Sequence, residues 1–353
     1  MADNLRIDRL DSIRALRGIA VLLVLFSHLM AVERNFSSDR LLSDWWIIGF
    51  SGVDLFFVIS GFIMVYVTRH TMPGFKSSLR FLIARVTRIY PLYWVVSFAL
   101  LLVWLQEPAL VYASANMSPD ILRSFLLFPA ARDPLLPVGW TLIHEMYFYL
   151  IFGFLLLFPR KFMLVILLLF AGAAIIGYGA FAAQFAPVQR IIFSPLIFEF
   201  IGGALIAMAV LRWQFANWKW ITCAGMVIFL AAIVFSGFFA DGNFWDHWLR
   251  PFIFAPAASL FVFGFIVMEK SGKIFPRFLL WVGDQSYSLY LTHLLTLSLF
   301  GRIWGWYASP SILDNVLMLP ILLAISLVIG QVTFVLLERP LLSGSYWLRK
   351  KLK

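Results

Sequence analysis

Charge is scarce in this sequence. Asp, Glu, Lys and Arg make up only 13% of its 353 residues, where a soluble domain carries about 25%. With 62% hydrophobic and 18% aromatic residues, too little polar surface remains to face water. That excludes a soluble globular domain and makes the bilayer the solvent. Cysteine is nearly missing, and Cys223 alone excludes an intrachain disulfide framework. Acids are outnumbered by bases, 18 against 28, for a net charge of +10. In a soluble protein such an excess would suit nucleic acid. Here the Lys and Arg residues sit in short clusters between apolar runs, the pattern of membrane orientation and not of a nucleic-acid groove. The first apolar run follows Arg6, Arg9, Arg14 and Arg17 and lacks a small-residue cleavage site, so it is read as a retained span.

A membrane-crossing helix needs about 20 mostly apolar residues. Ten stretches come close: about 14–32, 48–67, 89–105, 139–158, 162–182, 191–211, 220–239, 251–268, 279–300 and 315–337. The predicted fold is an all-α integral membrane protein, a bundle of about ten transmembrane helices. The polar, proline-containing stretch 106–137 is read as an external loop with a short helix near 121–128. Alternate connections, counting from the N-terminus, hold 21 of the Lys and Arg residues and the others hold 7. That asymmetry predicts an even number of spans with both termini in the cytoplasm. No repeat array or low-complexity segment interrupts the pattern, so residues 1–353 are read as one membrane domain.

Ionisable residues inside the spans carry the functional signal, because each is costly in a bilayer. Arg17 and His28 are eleven residues apart, close to three turns, so they share a face about 16 Å apart along the axis. Arg17 then lies at the cytoplasmic end, as a topology anchor or a ligand for an anion, and His28 lies in the outer half. Asp54, within the run from Ser51 to Phe62, enters its span from outside and either braces the helix end or takes part in chemistry. Glu145, following Trp140, sits about two turns deep and needs a partner or a proton. Its neighbour His144 points elsewhere. Glu199, in Phe198-Glu199-Phe200-Ile201-Gly202-Gly203, suits cross-helix pairing and substrate contact equally. In the polar run Gly283–His293, Ser286, Tyr290 and His293 follow an i, i+4, i+7 pattern and share a face. Arg85 and Arg88 enter the third span from the cytoplasm, either as anchors or as a phosphate clamp beside Arg17, since guanidinium matches phosphate geometry. Glu338, at the end of the last span, is placed to position one of these arginines.

Two layers result: Arg17, Arg85, Arg88 and Glu338 near the cytoplasm, and His28, Asp54, Glu145 and His293 in the outer half. Arginines under a buried His/acid layer suit a long, phosphate-tailed donor, and acetyl-CoA has that shape. The same acids and imidazoles would also serve a proton-coupled transporter or flippase for a glycan or small molecule. No pair of glycine-broken half-spans supports that alternative. No clear ligand set surrounds His28 and His293, so no metal is expected.

The order and spacing of these pieces resemble the membrane acyltransferase-3 family. The resemblance runs from Leu10-Asp11 to Glu338-Arg339-Pro340. It rests on Arg17 followed by ten residues and His28; on Gly52-Val-Asp-Leu-Phe-Phe-Val-Ile-Ser-Gly-Phe62; on Arg85-x-x-Arg88-Ile-Tyr-Pro; on Trp140-Thr-Leu-x-x-Glu145; and on Ser286-Tyr287-Ser-Leu-Tyr290-Leu-Thr-His293. Thr141 stands where the family often has serine, which keeps the hydroxyl. Arg14 falls outside the ten-residue spacing and is left as support. The resemblance implies O-acyl transfer, usually acetyl, from cytoplasmic acyl-CoA to a sugar hydroxyl of an extracytoplasmic or lipid-linked polysaccharide, in a bacterial inner membrane. It implies His28, Glu145 and Asp54 as catalytic groups and Arg17, Arg85 and Arg88 as donor-phosphate ligands. Ser286, Tyr287, Tyr290, His293, Glu199 and Trp140 then line the acyl or acceptor site. Some relatives carry an esterase-like C-terminal domain, which is not expected here. The length and the Phe-Glu199-Phe-x-Gly-Gly stretch resemble the ExoZ-like, exopolysaccharide-decorating group.

Overall fold

Long apolar runs in a bilayer must satisfy their own backbone hydrogen bonds, and helices do so within one segment. The computed structural model describes residues 10–42, 48–111, 119–181, 186–215, 217–237, 249–309 and 311–351, and among them every regular element is a helix. In chain order these are α1 (Asp11–Phe36), α2 (Ser51–Val67), α3 (Phe75–Gln106), α4 (Ile121–Leu126), α5 (Gly139–Leu155), α6 (Met163–Phe181), α7 (Pro187–Ile192), α8 (Ile197–Arg212), α9 (Trp218–Gly237), α10 (Arg250–Lys270), α11 (Arg277–Asp284), α12 (Ser286–Tyr307), α13 (Ile312–Thr333) and α14 (Arg339–Lys351). A short π-turn, Phe334–Glu338, joins the last two.

Each of the ten apolar stretches lies on one or two of these helices, but eight helical segments among the described residues are long and apolar enough to cross a membrane. The other two stretches fall on α5, which has 17 residues, and on α11 and α12. α12 has 22 residues but is interrupted by the polar side chains that drew attention in the sequence. The stretch 279–300 is not one continuous helix: it breaks at Gln285. α3 starts well before the expected boundary, so Arg85 and Arg88 ride on a 32-residue helix and not on a loop.

The chain divides into two compact units. The first comprises residues 1–69 and 198–335. In it α1 is central, packed on α2, α10, α11, α12 and α13, while α10 also packs on α9 and α2. Glu269, at the end of α10, accepts hydrogen bonds from the Asp11 and Ser12 amides (2.8 and 3.0 Å) and from the Ser12 hydroxyl. Those amides are otherwise orphaned at a helix start, so one helix caps another. Glycine sets the closest approaches. A methyl group on Gly203 of α8 would strike the Val58 carbonyl of α2, and one on Gly61 of α2 would strike the Phe200 carbonyl of α8. Gly18 and Gly283 likewise bring α1 and α11 into backbone contact.

The second unit comprises residues 70–197 and 336–353. α3 packs against α5 and α14, and α5 against α7. The expected short helix is α4. Its carbonyls are bonded by aromatic side chains of α3: Tyr90 to Leu126 (2.7 Å), Tyr93 to Ser124 (2.7 Å) and Trp94 to Phe125 (2.9 Å).

Candidate active site

Two imidazoles meet in the first unit. His28 of α1 and His293 of α12 lie with ring centroids 4.9 Å apart, edge to face. His28 Nδ1 is 2.8 Å from the Val24 carbonyl, and His293 Nδ1 is 2.7 Å from the Tyr290 carbonyl and 3.2 Å from that of Leu289. A carbonyl only accepts, so each Nδ1 carries a proton, and in the neutral form of each ring the lone pair is on Nε2. His293 is buried and its Nε2 has no partner, whereas His28 is half-buried. Phe50 and Tyr290 wall the pair, with Phe50 5.6 Å from His28 and Tyr290 5.7 Å from His293. Phe56 packs behind Tyr290 at 5.9 Å.

Asp54, fully buried on α2, is gripped by Arg250 of α10, Nε to Oδ1 at 3.0 Å and Nη2 to Oδ2 at 2.9 Å. Arg250 Nη2 also reaches the Phe50 carbonyl at 3.5 Å. Val24, the Phe50 ring and His293 thus hold His28, and Arg250 ties Asp54 to Phe50, the residue that precedes α2. Glu199 on α8 is fully buried within electrostatic reach of both Asp54 and Arg250. Both of its carboxyl oxygens are buried without a hydrogen-bond partner.

Arg17 is half-buried on the first turns of α1. Arg14, one turn earlier, is fully engaged with Asp284 (Nε to Oδ1, 2.7 Å) and with Asp11 (2.7 Å). On α12 Ser286 and Tyr290 are buried and Tyr287 is half-buried.

The second unit holds its own cluster. Glu145 of α5 accepts a hydrogen bond from the Tyr149 hydroxyl, one turn on. The Arg85 guanidinium lies over the rings of Tyr149 (5.8 Å) and Phe81 (5.3 Å), and its buried Nε has no hydrogen-bond partner. Arg88 is half-buried one turn further along α3. His144 turns back on its own helix, Nδ1 2.9 Å from the Trp140 carbonyl, with its ring edge-on to Trp140 at 5.6 Å. Among the described residues no group of three or more His, Cys, Asp or Glu is placed to hold a metal ion.

Residues 10–335 match the family model described as an acyltransferase domain, acyltransferase-3. The chain belongs to the acyltransferase-3 family. It is also 30% identical over 317 residues, 84% of this chain and 90% of the relative, to the exopolysaccharide production protein ExoZ of Rhizobium meliloti (strain 1021). No solved structure matches the chain. The family match covers residues of both compact units.

Sequence reasoning passed over three residues of this acyltransferase-family chain. Arg250 looked like a loop charge beside Pro251, yet it is buried at the first turn of α10. A signal existed: Asp54 in a span calls for a cation at similar depth. Glu33, buried near the end of α1, binds the Leu41 and Leu42 amides (2.8 and 3.0 Å) and Asn315 Nδ2 (2.7 Å). It folds the connection after α1 onto α13. Gln285 is buried at the break before α12 with both side-chain polar atoms unpartnered.

Proposed function

We propose that this multi-pass membrane protein transfers an acyl group, acetyl in the first instance, from cytoplasmic acyl-CoA to a sugar hydroxyl of an extracytoplasmic or lipid-linked polysaccharide. The observation that carries the reading is the His28–His293 pair: two imidazoles from different helices, tautomers set by backbone carbonyls, flanked by the rings of Phe50 and Tyr290. The family match supports acyl transfer, and the similarity to an exopolysaccharide production protein supports a polysaccharide acceptor. The charge asymmetry of the connections supports cytoplasmic termini and a donor entering from that side, in a bacterial inner membrane.

His28 Nε2 takes the proton of the sugar hydroxyl as that oxygen attacks the thioester carbonyl. The C–O bond forms, the C–S bond breaks, and the departing thiolate takes the proton from the imidazolium. A thioester is already activated, so positioning and one proton transfer suffice. His293 holds the His28 ring and shapes the acyl end with Tyr287 and Tyr290. Arg17, Arg85 and Arg88 bind the donor phosphates. Glu145, held by Tyr149, balances the cations of Arg85 and Arg88, which lie in the same cluster, and Trp140 contributes an acceptor-facing surface. Asp54 acts through Arg250 and Phe50.

The test is acetyl transfer by purified protein with His28→Ala and Arg17→Ala variants of unchanged thermal stability. His28→Ala is expected to lose about 10²–10⁴-fold in rate, and Arg17→Ala to lose stabilisation by acetyl-CoA. Full activity in His28→Ala overturns the assigned role. Glycan flux without acyl-CoA consumption replaces the whole reading with transport.

A further inference from the structure

Buried polar groups nearly always find a partner. Gln285 and Ser286, adjacent at the break between α11 and α12, do not: Gln285 Oε1, Gln285 Nε2 and Ser286 Oγ are all buried and without hydrogen bonds, and both residues are fully buried. Gly330 of α13 makes room for the glutamine. A methyl group at Gly330 would stand 3.0 Å from Gln285 Oε1, tighter than ordinary contact. The break is therefore a built site whose amide and hydroxyl have nothing in the protein to bond.

Its position says what would fit. Ser286 precedes His293 by seven residues, two turns, so both face the same way about 10 Å apart along the axis. His293 Nε2 is the fourth unpartnered buried atom of this stretch. On the other side, α11 packs directly on the α1 segment that carries Arg17, with Gly18 against the Leu279 carbonyl and the Gly283 amide. The order is thus a guanidinium, then a neutral amide and hydroxyl, then the imidazoles. A ligand spanning them needs an anionic end, a middle with neutral donors and acceptors, and a reactive end.

We propose that Gln285 and Ser286 form the subsite for the two amides of the pantetheine arm of the acyl donor. This rests on the acyl-CoA reading above. A side-chain amide offers one acceptor and two donors, and a hydroxyl offers both, which matches two ligand amides each presenting N–H and C=O. The spacing agrees. Eight bonds separate the thioester carbon from the farther amide nitrogen, about 9 Å at roughly 3.5 Å per three backbone-like bonds, against about 10 Å between Ser286 and His293. Both are positioning residues: they set where the thioester stops relative to His28.

The experiment uses the full-length protein in detergent, with Gln285→Met and Ser286→Ala variants, and three ligands: CoA, adenosine 3′,5′-bisphosphate, which lacks the arm, and pantetheine, which lacks the nucleotide. Removing orphaned polar atoms should leave the ligand-free melting temperature unchanged or raised. Stabilisation by CoA and by pantetheine should fall in both variants, while that by the bisphosphate should not change. In transfer assays KM for acetyl-CoA should rise about tenfold per variant with kcat within about twofold. A merely structural role predicts the opposite, a lowered ligand-free melting temperature and an unchanged difference between CoA and bisphosphate. That result overturns the subsite, as do variants indistinguishable from wild type while the wild type binds CoA. A wild type that neither binds CoA nor consumes acetyl-CoA overturns the donor reading, and the subsite with it.

Discussion

Arg250 and Asp54 meet through two hydrogen bonds, 3.0 and 2.9 Å, in a part of the protein where neither side chain reaches solvent. A buried ion pair is a weak source of stability when formed, but breaking it strands a charge. Arg250→Met or Asp54→Leu alone should destabilise by about 3–5 kcal/mol. The double variant Asp54→Leu/Arg250→Met should recover much of the loss, because no charge is left behind. Unfolding of the three proteins in one detergent gives the coupling; simple additivity would show that the pair is not a unit.

Glu199 places a second carboxyl within electrostatic reach of that pair, and both of its oxygens are buried without a hydrogen-bond partner. Glu199→Gln keeps the shape and puts a group that cannot ionise in place of the carboxyl. Its melting temperature should equal or exceed that of the wild type. Glu199→Lys should unfold the protein, since it adds a second buried cation. A large loss in the glutamine variant would mean that Glu199 functions as an anion.

Arg14 and Arg17 look alike in the sequence and differ in the structure. Arg14 is committed to Asp284 and Asp11, a partly exposed network that contributes about 1 kcal/mol or less. Arg14→Ala should therefore shift stability slightly and leave KM for acyl-CoA within about twofold. Arg17→Ala should raise that KM about tenfold or more, because charge-assisted bonds to phosphate are among the stronger ones. Donor titrations of both variants check the contrast; equal KM values would remove Arg17 from the donor site.

His28 and His293 should behave as one unit. His28→Asn and His293→Asn are each expected to lower kcat, and the double variant should be no slower than the slower single one. Multiplying losses would show that the two rings act independently.

Glycines separate contact from open space. Gly203→Ala and Gly61→Ala force a methyl into a facing backbone carbonyl, and each should cost about 1–3 kcal/mol or more by overpacking. Gly172→Ala and Gly179→Ala on α6 meet nothing within 4 Å. They should be neutral or stabilise by up to about 1 kcal/mol through helix propensity. Parallel melting curves decide it.

Much of this was legible in one dimension, for reasons that differ by residue. The Arg17–His28 spacing is a property of a single helix, and α1 runs unbroken through both positions. The i, i+4, i+7 stripe on α12 was readable for the same reason, and its polar character is what sets α12 apart from the eight apolar segments. The break at Gln285 was not, because a buried glutamine between Asp284 and Ser286 reads as one more polar residue of a stripe. Asp54 showed that a partner was required but not which one, since Arg250 is 196 residues away.

Composition and periodicity by themselves determined the solvent, the helical class and the places where charge enters the spans. Those follow from costs that each segment meets alone: backbone hydrogen bonds in lipid, and the energy of an ionisable group away from water. Only tertiary structure decided which charges meet. It joined Asp54 to Arg250 and committed Arg14 to Asp284 and Asp11. It turned the two imidazoles toward each other and left the amide of Gln285 and the hydroxyl of Ser286 without a partner. Pairing across helices depends on depth, rotation and the glycine contacts that fix both, and none of these is a property of one segment.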